Sequence, residues 1–101
     1  MTPRRVRFTT TAQEQVRRET IWWVENRTHT EVFATELEEA IKILAVLPGA
    51  GAPYPHADLI GLRRIYLRKV ACHIYYTFDE QSVVVRAMWG AKRGKGPLIE
   101  P

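Results

Sequence analysis

At 101 residues, with 46% hydrophobic and 26% charged residues and a formal net charge of +4, the chain is sized for a single domain, residues 1–101, with one core. Its one cysteine, Cys72, excludes an internal disulfide. No apolar run is long or clean enough to span a bilayer, and no segment has the charged-then-apolar layout of a secretory leader, so the expected location is the cytoplasm, with no membrane partner.

The charge is unevenly placed. Up to Gly61 there are seven Lys or Arg against eight Asp or Glu; from Leu62 onward there are eight Lys or Arg and three acids. The second half is therefore the expected footprint for an acidic partner, either nucleic acid or an acidic protein.

Arg4 to Phe8 reads as a short strand, with Val6 and Phe8 on one face and Arg5 and Arg7 on the other. Thr11 and Glu14 then fit a capping box, in which each side chain satisfies the other's free backbone N–H. The helix they start runs to about Asn26, and Ala12, Val16, Thr20, Trp23 and Val24 fall on its inner side. Trp22 is left at the edge or in solvent. After a polar turn at Asn26 to Thr30, either Thr28 or Thr30 can cap a second helix, and Thr28 with Glu31 makes a second capping box. Phe33, Leu37, Ala40, Ile41, Leu44 and Leu47 form its apolar stripe. Each large member contributes about 1.5–3 kcal/mol on burial. Pro48-Gly49 ends the helix. The short turn makes the two helices an antiparallel hairpin.

Pro48 to Gly61 reads as an irregular loop of fourteen residues, with His56 and Asp58 as solvated side chains. Three runs rich in β-branched and aromatic residues follow: Leu62–Lys69, Val70–Phe78 and Ser82–Gly90. Short polar breaks between them predict a strand meander. Strict alternation puts Ile65, Leu67, Val70, Cys72, Ile74, Tyr76, Phe78, Val83, Val85, Ala87 and Trp89 on one face, packed beneath the helices. It puts Arg64, Tyr66, Arg68, Ala71, His73, Tyr75, Thr77, Val84, Arg86 and Met88 on the other. The opposite register would bury several unpaired arginines. The expected fold is α+β, in the order β-α-α-β-β-β, with a helical hairpin on one face of a mostly antiparallel twisted sheet. Gly94 to Pro101 reads as a flexible tail.

Chemistry-bearing motifs are few. His29, His56 and His73 lie on different elements without ligand spacing, so no metal is expected. No phosphate-binding glycine loop precedes a helix, no nucleophile elbow is present, and the sheet region has no paired carboxylates; no cofactor is implied. The basic face remains. Arginines at alternate strand positions, interleaved with tyrosine and histidine, suit either phosphate contact with base stacking or the acidic side chains of a protein. His73 and Tyr75, flanked by Arg64 and Arg86, also suit metal-free phosphoryl transfer in RNA: a base takes the 2′-hydroxyl proton and arginines stabilise the transition-state charge.

The element order together with Leu62-Arg63-Arg64, Ile74-Tyr75-Tyr76 and Met88-Trp89-Gly90-Ala91-Lys92-Arg93-Gly94 resembles the RelE/ParE superfamily of bacterial toxins, over about Val6 to Pro97. The helix pattern Phe33-x-x-x-Leu37-x-x-Ala40-Ile41-x-x-Leu44 followed by Pro48 resembles it too. The resemblance implies a toxin held inactive by a cognate antitoxin. ParE-like members inhibit DNA gyrase; RelE-like members cut mRNA on the ribosome. On the nuclease side it implies Arg64 and Arg86 on the strands and Arg93 after the last one as working residues, with His73 or Tyr75 as the substitute acid or base. The C-terminal tyrosine of such nucleases is missing, with Gly94-Lys95-Gly96-Pro97 in its place, which favours the ParE-like side. The cationic sheet face and tail give Arg64, Arg68, Arg86, Trp89, Lys92, Arg93 and Lys95 as the expected target contacts. A plain antitoxin-binding module that has lost toxicity is a further alternative.

Overall fold

The computed structural model describes residues 2–97 and Ile99. Strand β1 (Arg5–Phe8) leads into helices α1 (Thr10–Asn26) and α2 (Glu31–Val46). The chain then passes through a 3₁₀ turn at Pro48–Ala50 to strands β2 (Ala52–Pro53), β3 (Arg63–Leu67), β4 (Cys72–Phe78) and β5 (Ser82–Gly90). The five strands form one sheet in the order β1-β5-β4-β3-β2. β1 runs parallel to β5, and every other neighbour is antiparallel. The fold is α+β, as the residue pattern predicts, with one strand more than expected. Ala52 and Pro53 pair with Arg64 and Arg63, so the stretch read as an irregular loop carries a short edge strand.

That edge is fastened by Tyr76. Its hydroxyl donates to the Pro48 carbonyl at 2.6 Å and accepts the Gly51 N–H at 2.9 Å. Arg63 adds a guanidinium bond to the Gly51 carbonyl at 2.6 Å. Only glycine fits at position 51, because a Cβ there would stand 2.6 Å from the Tyr76 hydroxyl and 2.7 Å from the Arg64 carbonyl oxygen.

Both helices cover one face of the sheet. The main core joins Ala12, Phe33, Ala40 and Leu44 to Leu67, Cys72, Ile74, Tyr76, Val83, Val85 and Met88, with Val6, Phe8, Val16, Trp23 and Leu37 at its margin. Neither expected capping box forms. Thr9, not Thr11, caps α1, its hydroxyl accepting the Ala12 N–H at 3.1 Å, while Glu14 instead pairs with Arg17. Thr30 stands at the N-cap of α2 without a side-chain bond. The inner face of α1 is also rotated from the apolar reading. Thr20 is exposed, its hydroxyl bonded to the Val16 carbonyl, and Val24 is 63% exposed. Gln15 and Glu19 turn inward instead: Gln15 accepts the Met88 N–H at 2.8 Å and Glu19 accepts from the Cys72 thiol at 3.6 Å. Leu47, at the C-cap of α2, is exposed rather than part of the stripe. Burial and the nearby Glu19 carboxylate push the Cys72 thiol up to about 12, so it stays protonated and serves packing.

A β-bulge corrects the expected face assignment. Tyr75 faces Ala87 but Tyr76 faces Val85, leaving Arg86 as the extra residue of β5. The extra residue inverts the alternation beyond it. Met88 therefore enters the main core, and Ala87 and Trp89 turn to the opposite face. That face is not wholly open either. Leu62, Tyr75, Ala87 and Ile99 form a second buried cluster there, flanked by Tyr54, Leu59 and Trp89. Of the stretch read as a flexible tail, Leu98, Glu100 and Pro101 lie outside the described residues.

Candidate functional site

The cationic side of the sheet carries its most concentrated chemistry where β3, β4 and the end of β5 meet the chain beyond β2. Antiparallel pairing places Arg64 opposite Tyr75, Tyr66 opposite His73, and His73 opposite Trp89. Period-2 alternation on β3 and β4 is the reason Arg64, Tyr66, His73 and Tyr75 share a face. The side chains of Tyr54, Arg64, His73, Tyr75, Trp89 and Lys95 line a cavity of about 150 Å³. The Arg64 guanidinium lies 4.9 Å above the Tyr54 ring and donates to the Tyr75 hydroxyl at 3.5 Å. Tyr54 and Tyr75 meet edge to face with centroids 5.0 Å apart. His73 is held between Tyr66, at 4.9 Å, and Tyr75, at 6.1 Å. Partial burial, reinforced by the Arg64 charge, holds its imidazole below the usual histidine range. His73 is therefore neutral at neutral pH, with a ring nitrogen able to accept a proton.

Trp89 closes the cavity on the β5 side. Its indole N–H donates to the Lys95 carbonyl, and the Arg93 guanidinium stacks 4.4 Å from its ring. The corner is made by a 3₁₀ turn at Ala91–Arg93, followed by Gly94 at φ 79°, a left-handed backbone that glycine adopts without strain.

The residues expected to act together converge only in part. Arg64, His73 and Tyr75 line the cavity together, Tyr75 being 2% exposed with its hydroxyl accepting from Arg64. Arg86, the bulge residue, is tied to Thr77 by a 2.9 Å bond from its Nε and does not line the cavity. Arg93 is drawn over Trp89, with Lys92 beside it on the far side of the corner. Arg68 is exposed in the turn between β3 and β4. Lys95 lines the cavity, and Trp89 does so too because the bulge turned it outward. Sequence reasoning missed Tyr54, which stacks under Arg64. The signal for it was weak, since nothing in Pro53-Tyr54-Pro55 marks the loop as returning beside β3.

No protein-family model matches the sequence, and no curated protein does either. Solved structures do. A chain of the RelBE2 toxin–antitoxin complex of Mycobacterium tuberculosis superposes with a TM-score of 0.64 at 25% identity, covering 91% of this chain and 97% of that one. A chain of the chromosomal ParDE system of P. aeruginosa gives 0.68 at 14% identity, covering 88% and 97%. One from the E. coli DinJ-YafQ toxin–antitoxin complex gives 0.61 at 10% identity, covering 93% and 99%. This is a RelE/ParE superfamily fold. Within the RelE/ParE architecture, the cavity sits on the sheet face opposite the helices, walled by β3, β4 and β5. At 10% and 14% identity, two of these likenesses speak for the fold alone.

Proposed function

We propose that the chain is the toxin of a type II toxin–antitoxin pair, that a cognate antitoxin neutralises it, and that in the free state it inhibits DNA gyrase without cutting RNA. The observation that carries the choice between the two activities is the dispersal of the nuclease set. Of Arg64, His73, Tyr75, Arg86 and Arg93, three line one cavity, and of these Tyr75 is buried with its hydroxyl already accepting from Arg64, while Arg86 is tied to Thr77 and Arg93 is stacked on Trp89. At about 150 Å³, that cavity is below the roughly 300–1,000 Å³ of sites that enclose a small molecule. General acid–base catalysis needs donor and acceptor within hydrogen-bond reach of one reacting group. A cationic surface that need only hold a partner makes no such demand. Arg64, Arg68, Arg86, Trp89, Lys92, Arg93 and Lys95 are the proposed contacts with the target.

The antitoxin part of the reading draws on RelBE2 and DinJ-YafQ, both described as toxin–antitoxin complexes. The segment that covers this chain is expected to be acidic and amphipathic, matching its arginines and covering apolar surface such as Ile21 and Ile43, which α1 and α2 leave exposed.

Mixing the purified chain with gyrase and relaxed plasmid tests the reading. Loss of supercoiling, restored by the cognate antitoxin, is the expected result. Unimpaired supercoiling, together with growth arrest and cleaved transcripts on induction, would replace it with the second reading, a ribosome-dependent mRNA endoribonuclease. One observation favours that alternative: a neutral His73 beside the Arg64 cation, which pairs a proton acceptor with a phosphate ligand. Growth unaffected by induction would leave only antitoxin binding.

A further inference from the structure

Beyond the Ala91–Arg93 corner from the Arg64–His73 cavity, a second and larger cleft of about 470 Å³ opens between the C-terminal half of α1 and the end of the sheet. Arg18 and Arg27 approach it from the helix, and Lys69, Lys92 and Arg93 from the strand ends. Among the described residues Glu19 is its one carboxylate. Among the described residues the Lys and Arg ion pairs are Arg17 and Arg18 with Glu14, so Arg27, Lys69, Lys92 and Arg93 answer to no acid there. Like charges gathered around a concavity repel one another and disfavour the compact state, while concentrating anions in the cleft.

The cleft also has flat surfaces. The Arg27 guanidinium lies 4.9 Å from the Trp22 ring and 5.7 Å from the Trp23 ring, and Trp22 is 43% exposed. Unstacked bases pack on aromatic rings and on guanidinium planes alike. Glu19, already accepting from the Cys72 thiol at 3.6 Å, offers a further acceptor for the N–H edge of a base and adds a negative charge that disfavours a carboxylate-rich peptide. Gly90 lines both this cleft and the Arg64–His73 cavity, so the two depressions flank the same corner.

We propose that this cleft binds a nucleotide unit, its base stacked on the Trp22–Arg27 platform and its phosphate held by Lys69, Lys92 and Arg93. Lys92 and Arg93 also stand among the proposed target contacts, but the proposal does not rest on the gyrase reading, because its test reads nucleotide binding to the purified chain alone. Two sources share this chemistry, a free nucleoside triphosphate and a single-stranded chain.

The test uses the full chain with three probes: a nucleoside triphosphate, a fluorescent short oligothymidylate, and poly-glutamate of matched charge. Binding of either nucleotide probe is expected, and the tighter of the two identifies the source. For the oligonucleotide, engagement of about three phosphates predicts an affinity that falls with salt at a log–log slope of roughly −2. Trp22→Ala is expected to weaken binding about tenfold through lost stacking, and Arg27→Glu or Lys92→Glu by about tenfold or more. A thermal melt of each variant confirms folding, and a variant that does not fold is replaced by its conservative partner, Trp22→Leu, Arg27→Gln or Lys92→Gln. Poly-glutamate bound as tightly as the nucleotide probes would overturn the proposal. So would affinity unchanged in folded variants, or no nucleotide binding below about 1 mM.

Discussion

Tyr76 and His73 stand three residues apart on one strand and show how position decides a polar side chain's task. Tyr76 faces the core, where burial raises its phenol above the usual range and the hydroxyl joins the Pro48 carbonyl to the Gly51 N–H. Tyr76→Phe keeps the ring but strips both partners, and a buried group left unpaired costs about 1–3 kcal/mol. A fall in melting temperature of roughly 5–20 °C is expected in a domain of this size, measured by circular dichroism. His73 faces the cationic side, and its depressed pKa sets the sign of a pH effect. The fold favours the neutral ring, so below the ordinary histidine value of about 6.5 the unfolded chain takes up more protons than the folded one. Stability should therefore decline between pH 7 and pH 5. His73→Gln should flatten that decline in melts run across the range; an unchanged slope would remove His73 from the account.

At the scale of elements, the bulge in β5 separates what alternation can reveal from what it cannot. Under strict alternation Met88 would be a surface residue; in the fold it is 2% exposed. Met88→Lys places an ammonium in the main core at a cost of several kcal/mol. The expected outcome is loss of the cooperative melt, whereas a tolerated lysine would mean that no bulge exists. The element order, the helix boundaries to within a residue or two, and the shared face of Arg64, Tyr66, His73 and Tyr75 were legible because hydrophobic period and β-branched runs carry them directly. The bulge was not, because Val-Val-Val-Arg-Ala-Met-Trp has apolar residues on both sides of Arg86 and fits either phase. The caps were misplaced for a related reason: three consecutive threonines open α1, and tertiary pairing of the Thr9 N–H with the Val85 carbonyl selects among them. Of the candidate site, β3 and β4 gave Arg64 and His73. The scatter of Arg86 and Arg93 depended on the bulge and on a stacking partner, neither of which has a periodic signature.

For the molecule as a whole, the uneven charge of the sequence becomes a division of surfaces. The helical side holds the apolar core, and of the second half's cations Arg64, Lys69, Lys92, Arg93 and Lys95 flank a single corner at Gly90–Lys95, with one depression on each side. The expectation of one open basic face is thereby refined. Tyr75 and Ala87 are packed under Leu62 and Ile99, which leaves accessible charge at the rim rather than across the middle of the sheet.

The parallel pairing of β1 with β5 carries its own implication for biogenesis. The first strand synthesised must wait for the last, since Arg5–Phe8 aligns with Ser82–Val85 and lies at the edge of the sheet beside it. A nascent chain stalled before that point has no partner for its opening residues, and contacts this remote in sequence are slow to form. Products terminated before Ser82 would thus be incomplete in their sheet, and whatever activity the finished fold possesses would begin only after β5 has been synthesised.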